Sequence, residues 1–232
     1  MFLSGCDWIT APARPHVVRY RLVATVDTPA GERSGHSVIE VAMSRTSRKF
    51  DVQGEAVAVD LPDNQTLFVL LRSANDPDWA AWALNVVPNP EKDLPAQDSQ
   101  DRIAQVTRWV DMLNADRGVH AIWTSTAPNT PRGSSVLVPY LVKFGNLSDP
   151  ASVAEVDPND LSKSFGKGYR LEALTIQIVD ASVTTGIEKR LTWLNDVGPL
   201  IDAGSVTKPP LGSPYPFAVT ISSTDFKKGS SK

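Results

Sequence analysis

Residues 17–27 read VVRYRLVATVD, and residues 35–44 read GHSVIEVAMS. Apolar and polar side chains alternate along the first stretch, which is typical of a β-strand with one buried face. Residues 28–32 (TPAGE), between the two stretches, are rich in turn formers. The pair therefore predicts an antiparallel β-hairpin. Its expected buried positions on the first strand are Val18, Tyr20, Leu22, Ala24 and Val26.

Further strands are predicted along most of the chain, from alternation or from β-branched content. They are residues 54–61, 66–72, 119–125, 136–144, 152–156 and 169–180. The connection at residues 62–65 (PDNQ) has the composition of a turn. Pro139 favours an edge position for its strand, because proline has no backbone N–H to donate to a neighbouring strand.

One long helix is predicted at residues 99–114, with Ser99 as its cap. Its apolar stripe at helical spacing consists of Ile103, Val106, Val110 and Leu113, with Trp109 beside it. A shorter helix should begin at residues 76–78 (DPD). The predicted fold class is α+β and β-rich: a mostly antiparallel sheet, sandwich or barrel-like, with one main helix inserted.

The domain organisation follows from composition along the chain. We expect residues 1–15 to be a tether, residues 16–201 to form a single β-rich globular domain, and residues 202–232 to be a proline-rich, partly disordered tail. Disorder is expected above all at residues 227–232. Neither half of the chain contains enough strands for a domain of its own.

Charge and cysteine content exclude several classes of protein. The chain has 232 residues with a formal net charge of -3, and its lysines and arginines are scattered, so we expect no nucleic-acid partner. No stretch approaches the roughly 18 apolar residues that a membrane-spanning helix needs. The single cysteine, Cys6, has no second cysteine with which to form an internal disulfide.

The N-terminal residues Leu3-Ser4-Gly5-Cys6 resemble the lipobox of bacterial lipoproteins, in which small residues precede the cysteine that is lipidated. The charged and apolar regions of a signal peptide are missing before it, so we expect the gene to encode a longer N-terminus. Residues 10–15 (TAPARP) favour an extended spacer. The resemblance implies a lipid on Cys6. In enteric bacteria an aspartate in the place of Asp7 also implies retention in the inner membrane.

Two longer stretches carry a second resemblance. Residues 20–41, and residues 142–194 with VDPNDL, SFGKGYRL and VTTGIEKRLTWL inside them, are similar to an uncharacterised family of proteobacterial envelope proteins that often carry lipoprotein signals. This resemblance covers about half of the chain. It implies a compartment, the periplasm-facing side of the cell envelope, and no particular activity.

Residues that carry catalytic or metal chemistry do not form a recognisable pattern. The histidines His16, His36 and His120 are far apart in the sequence, whereas zinc ligands usually come in closely spaced pairs. We therefore predict no catalytic residue, no metal and no cofactor. His36 is interpreted as an exposed histidine at a strand end, since the serine next to it would point to the opposite face.

Two pairs of residues are candidates for binding. Trp79 and Trp82, spaced three apart, are expected on one face of the short helix, either as an exposed platform for a sugar or a partner or as part of the core. Glu188 and Arg190 are expected on one face of a strand, where they would pair.

Together these observations predict a non-catalytic, membrane-tethered envelope protein that binds a protein or small-ligand partner, with the membrane contacted only through lipidated Cys6. Two alternatives stay open. One is a small envelope hydrolase that uses carboxylates not identifiable from the sequence. The other is a cytoplasmic protein of a mobile element, which requires the lipobox-like residues to be accidental.

Overall fold

The predicted hairpin is present in the computed structural model, which describes residues 16–44, 49–90, 95–126, 138–195, 198–201 and 216–229. Strand β1 (His16–Asp27) pairs antiparallel with β2 (Arg33–Met43), with Tyr20 opposite Ile39. The alternation in the sequence is realised as alternating burial. The fully buried side chains of β1 are Val18, Tyr20, Leu22, Ala24 and Val26.

Eight further strands and five α-helices are found among the described residues. The strands are β3 (Phe50–Glu55), β4 (Val57–Asp60), β5 (Thr66–Ser73), β6 (Val119–Thr124), β7 (Pro139–Phe144), β8 (Val153–Val156), β9 (Arg170–Ile178) and β10 (Lys227–Lys228). The helices are α1 (Trp79–Trp82), α2 (Ser99–Ala115), α3 (Ser162–Phe165), α4 (Phe217–Thr220) and α5 (Ser223–Phe226). Short 3₁₀ helices span Ala83–Val86, Pro150–Ser152, Ile187–Lys189 and Thr192–Asn195.

The strands form two sheets in which every pairing is antiparallel. The large sheet has the order β10-β3-β2-β1-β9-β6, and the small sheet has the order β4-β5-β7-β8. Within the described residues neither sheet closes on itself. The predicted β-rich α+β class is therefore confirmed, as a two-sheet arrangement and not as a barrel.

Two apolar cores flank the small sheet. The first joins buried residues of both sheets with helices α1 and α2. The second lies on the opposite face of the small sheet and includes Phe68 and Leu70 of β5. Because β5 is buried on both faces, its sequence TLFVLL is continuously apolar where β1 alternates. The second core is completed by Ile187, Leu191, Leu194, Ala218, Ile221 and Phe226.

Helix α2 confirms the longest predicted helix, one residue longer than expected. Val110 and Leu113 are buried in the first core, and Val106 packs partly against it. The cap is Asp98 and not Ser99: the Asp98 carboxylate accepts the backbone N–H of Asp101 at 2.8 Å. An aspartate and a serine cap a helix about equally well, so the sequence alone favours neither position.

The stretch predicted as one strand at residues 54–61 is two strands in different sheets. β3 ends at Glu55 and β4 begins at Val57. Gly54 has a φ of 150°, and a Cβ there would lie 3.0 Å from a side-chain carbon of Ile39, so the crossing requires glycine. Ala56 then donates its backbone N–H to the carbonyl of Phe226 at 2.7 Å.

The predicted edge position of Pro139 is also wrong. Its strand, β7, lies between β5 and β8 inside the small sheet. Pro139 is the first residue of β7, and proline is tolerated in an interior strand at this position because the regular ladder begins after it.

The C-terminal segment is part of the folded body, contrary to the predicted tail at 202–232. Residues 216–229 contain α4, α5 and β10, and Phe226 is fully buried. Lys227, predicted to be disordered, pairs in β10 with Glu55 of β3. Two lysines thus form an outer strand of the large sheet, a composition that discourages pairing with another chain. Residues 202–215 and 230–232 lie outside the described residues.

Candidate functional site

Trp79 lies inside the first core and is 1% exposed. It begins α1, whose first three residues are all buried. The buried hydroxyl of Tyr20, on β1, donates to the carbonyl of Ala80 at 2.6 Å and fixes α1 against the large sheet. Trp79 therefore presents no ring to a ligand, and the two-tryptophan platform is not formed: Trp79 belongs to the core.

Trp82, by contrast, is 41% exposed. Its ring packs on the edge of the Phe50 ring, with centroids 5.0 Å apart and an interplanar angle of 68°. Such a T-shaped contact favours this orientation of the ring. Of the two tryptophans expected to bind, Trp82 is the one whose ring the fold presents at the surface.

The pair of Trp82 and Phe50 lies at the end of the body where the chain enters the fold. Here β1 begins at His16, β2 ends at Met43, and β3 begins at Phe50. His16 is opposite Met43 in the β1–β2 ladder, and Met43 is opposite Phe50 in the β2–β3 ladder. We call this end, defined by His16, Met43, Phe50 and Trp82, the N-terminal end.

Helix α2 fixes the start of β1 at the N-terminal end. The Nε2 atom of His16 lies 3.2 Å from the hydroxyl of Thr107, and the side-chain amide of Asn114 donates to the carbonyl of Val17 at 3.4 Å. The first two residues of β1 are therefore held in place by side chains of α2.

The predicted pairing of Glu188 with Arg190 is wrong. Gly186 has a φ of 114° and turns the chain into the 3₁₀ helix Ile187–Lys189, so the two side chains do not share a strand face. Glu188 accepts from the ammonium of Lys227 at 3.0 Å. Arg190 donates both terminal nitrogens to Asp60, at 2.5 and 2.8 Å, and this bond lowers the pKa of Asp60.

Both Glu188 and Arg190 thus hold the segment after β9 to neighbouring strands. This segment also crosses β2: Thr184 donates its N–H to the carbonyl of Val38 at 3.1 Å, and its hydroxyl accepts the N–H of Val38 at 2.8 Å. Glu188, Arg190 and Thr184 therefore all make contacts within the fold.

A buried carboxylate that the sequence did not single out lies beneath this segment. Glu55 is 2% exposed, and its two oxygens accept the backbone N–H groups of Gly186 at 2.9 Å and Ile187 at 2.8 Å. The Lys227 ammonium is 3.7 Å away. Burial raises the pKa of Glu55. We call Glu55, Gly186, Ile187 and Lys227 the carboxylate latch. The one sign of this buried carboxylate in the sequence is that Glu55 is the single charged residue in the stretch QGEAVAV.

The described histidines lie apart. His120, on the outer strand β6, is 2.9 Å from a carboxylate oxygen of Asp116, and this hydrogen bond is the main cause of a lowered pKa at Asp116. The contact spans four residues and closes the turn between α2 and β6. His36 is exposed on β2. Within the described ranges, no three His, Cys, Asp or Glu side chains are grouped as a metal ion would require.

Cys6 and the lipobox-like residues lie outside the described residues.

No protein-family model, curated protein or solved structure matches the chain. Among the described helices, none has the length and apolar character that crossing a bilayer demands.

Proposed function

We propose that the protein is a membrane-tethered component of the bacterial cell envelope, held by a lipid on Cys6, and that its β-rich body binds a partner without catalysing a reaction. The observation that carries the proposal is the sequence Leu3-Ser4-Gly5-Cys6, with the chain's single cysteine, followed by the proline-rich residues 10–15. Acylation at more than one position of such a cysteine anchors a protein firmly, whereas one chain holds it only marginally.

The body supports a binding role through its exposed aromatic ring. Trp82 is held by Phe50 on a helix that is itself fixed to the core. An exposed tryptophan offers a large contact area at a small cost in conformational entropy.

Three carboxylates are used in contacts within the fold. Glu55 binds the segment after β9, Asp60 binds Arg190, and Asp116 binds His120. A catalytic group must instead meet a substrate. These pairings favour a binding role for the body over a hydrolytic one.

The test is made in the native host, with the gene at its own locus. Wild-type protein is compared with Cys6→Ser and with the matched control Ser4→Ala, which keeps a small residue before the cysteine. We expect wild type and Ser4→Ala to incorporate an alkyne-labelled fatty acid, to stay in the membrane fraction at high salt, and to be released by detergent. Cys6→Ser should lose the label.

An unlabelled wild-type protein in the soluble fraction would contradict the anchor and would favour the cytoplasmic alternative. Labelling that persists in Cys6→Ser would place the lipid on another residue and would also contradict the proposal. The non-catalytic part is tested separately, by incubating the purified body with envelope glycans and peptides: turnover abolished by a carboxylate substitution would overturn it.

A further inference from the structure

The exposed aromatic ring and the start of the folded body lie at the same end of the molecule. In the large sheet His16 is opposite Met43, and Met43 is opposite Phe50. The Phe50 ring in turn contacts the Trp82 ring. Neighbouring strands are about 4.8 Å apart, so the first residue of β1 and the backbone of Phe50 are separated by about 10 Å. A tether that joins the body at His16 therefore joins it beside Trp82.

The length of the tether limits how far this end can move from an anchoring membrane. Nine residues lie between Cys6 and His16 in the sequence, and the ten residue steps from one to the other span at most about 35 Å when the chain is fully extended. A surface held this close to the bilayer meets it at a high effective concentration. The N-terminal end is the part of the body that the tether brings nearest to the lipid.

The chemistry of the exposed pair suits the boundary between lipid and water. An indole ring has an apolar body and a polar N–H, and tryptophan is enriched where membrane proteins cross the headgroup region. Phe50, which packs partly against the first core, contacts the Trp82 ring in a T-shaped arrangement. Neither side chain is charged, so their own contact with a neutral lipid should depend little on salt, although the exposed Lys49 lies next to Phe50.

We propose that the partner of Trp82 is the bilayer surface itself: Trp82, supported by Phe50, inserts into the headgroup region of the membrane that holds the anchored chain. This inference rests on the proposed lipid anchor and names the partner of the same surface. The body then lies against the membrane through its N-terminal end, while the far ends of the strands face the periplasm.

The test uses the intact lipoprotein, purified from host membranes in detergent and reconstituted into phosphatidylcholine vesicles whose acyl chains are brominated. Bromine quenches tryptophan fluorescence at short range. Trp8 is two residues from the anchoring cysteine, so every variant carries Trp8→Phe, which leaves five tryptophans. The variants are Trp82→Phe and the matched control Trp193→Phe. Trp193 packs in the second core and donates its Nε1–H to the carbonyl of Leu147.

We expect brominated lipid to quench the Trp8→Phe protein and the Trp193→Phe control, in low and high salt alike, and we expect this quenching to be lost in Trp82→Phe. Thermal unfolding confirms that the variants are folded. Flotation of each sample with the vesicles reports the anchor separately from the insertion.

These measurements distinguish failure of the lipid anchor from failure of Trp82 insertion. Protein that carries no lipid and does not float with vesicles contradicts the anchor. Protein that floats, but whose quenching is unchanged by Trp82→Phe, overturns the inference and leaves the anchor standing. A photocrosslinker at position 82 that captures a protein and no lipid in host membranes would also overturn it, in favour of a protein partner.

Discussion

Replacing Glu55 by alanine removes the centre of the carboxylate latch. The change leaves the backbone N–H groups of Gly186 and Ile187 without their acceptor and the Lys227 ammonium without one of its two carboxylate neighbours. An orphaned buried donor costs about 1–3 kcal/mol, and part of this loss is offset because a carboxylate is no longer buried. We expect the free energy of unfolding to fall by about 3 kcal/mol.

The assay is equilibrium unfolding of the purified body in urea, followed by tryptophan fluorescence. Glu188→Ala is the matched control, because Glu188 also contacts Lys227 but its side chain is 31% exposed. We expect the control to lose less than about 1 kcal/mol. Equal losses for the two variants, or a loss below about 1 kcal/mol for Glu55→Ala, would refute the latch.

The cost of Glu55→Ala should also depend on pH. Burial raises the pKa of Glu55 from its usual value of 4.5, so the folded protein holds this proton more tightly than the unfolded chain does. The stability that Glu55 contributes is therefore greatest below 4.5 and falls as the pH rises through the raised pKa. We expect the difference between wild type and Glu55→Ala to shrink over this interval; a difference that grows would contradict the sign.

Three further predictions concern the fold. Tyr20→Phe removes the donor to the carbonyl of Ala80 and should lower the free energy of unfolding by about 1–2 kcal/mol in the same urea assay. Phe226→Ala empties the second core and should cost about 3–5 kcal/mol; a change below about 1 kcal/mol would mean that the C-terminal segment is not part of the cooperative unit. Arg190→Ala breaks a largely exposed pair with Asp60 and should cost less than about 1 kcal/mol by thermal unfolding, with a larger loss counting against this placement.

The parts of the fold that the sequence predicted are those governed by local patterns. Alternation along β1, followed by a short stretch of turn formers, predicted the hairpin with β2, because one face of the sheet is buried. The stripe of α2 predicted the longest helix for the same reason, since its buried residues recur at helical spacing.

The parts that the sequence did not predict depend on contacts between distant residues. Glu55 meets Ile187 across 132 positions of the chain, and no local pattern relates the two. Lys227 and Lys228 have the composition of a polar terminus, yet they pair with β3. They do so because the preceding residue, Phe226, is buried in the second core. Residues 54–61 read as one strand because the change of sheet within them lies next to a single glycine, Gly54, and residues 50–53 of β3 were not predicted as a strand.

The two tryptophans show why spacing alone did not locate the binding surface. A spacing of three places Trp79 and Trp82 about 60° apart around a helix, which is compatible with a shared face. α1 is only four residues long and is buried along its first turn, so the boundary between core and solvent falls between the two rings. That boundary is set by Tyr20 and the large sheet.

The most direct test of the lipid anchor is the mass spectrum of the N-terminal peptide of the protein isolated from its own host. We expect a peptide that begins at Cys6 and carries a diacylglycerol on the Sγ atom, with residues from Asp7 onward unmodified. An unmodified peptide that runs without interruption from Met1 through Cys6 would contradict the proposed function.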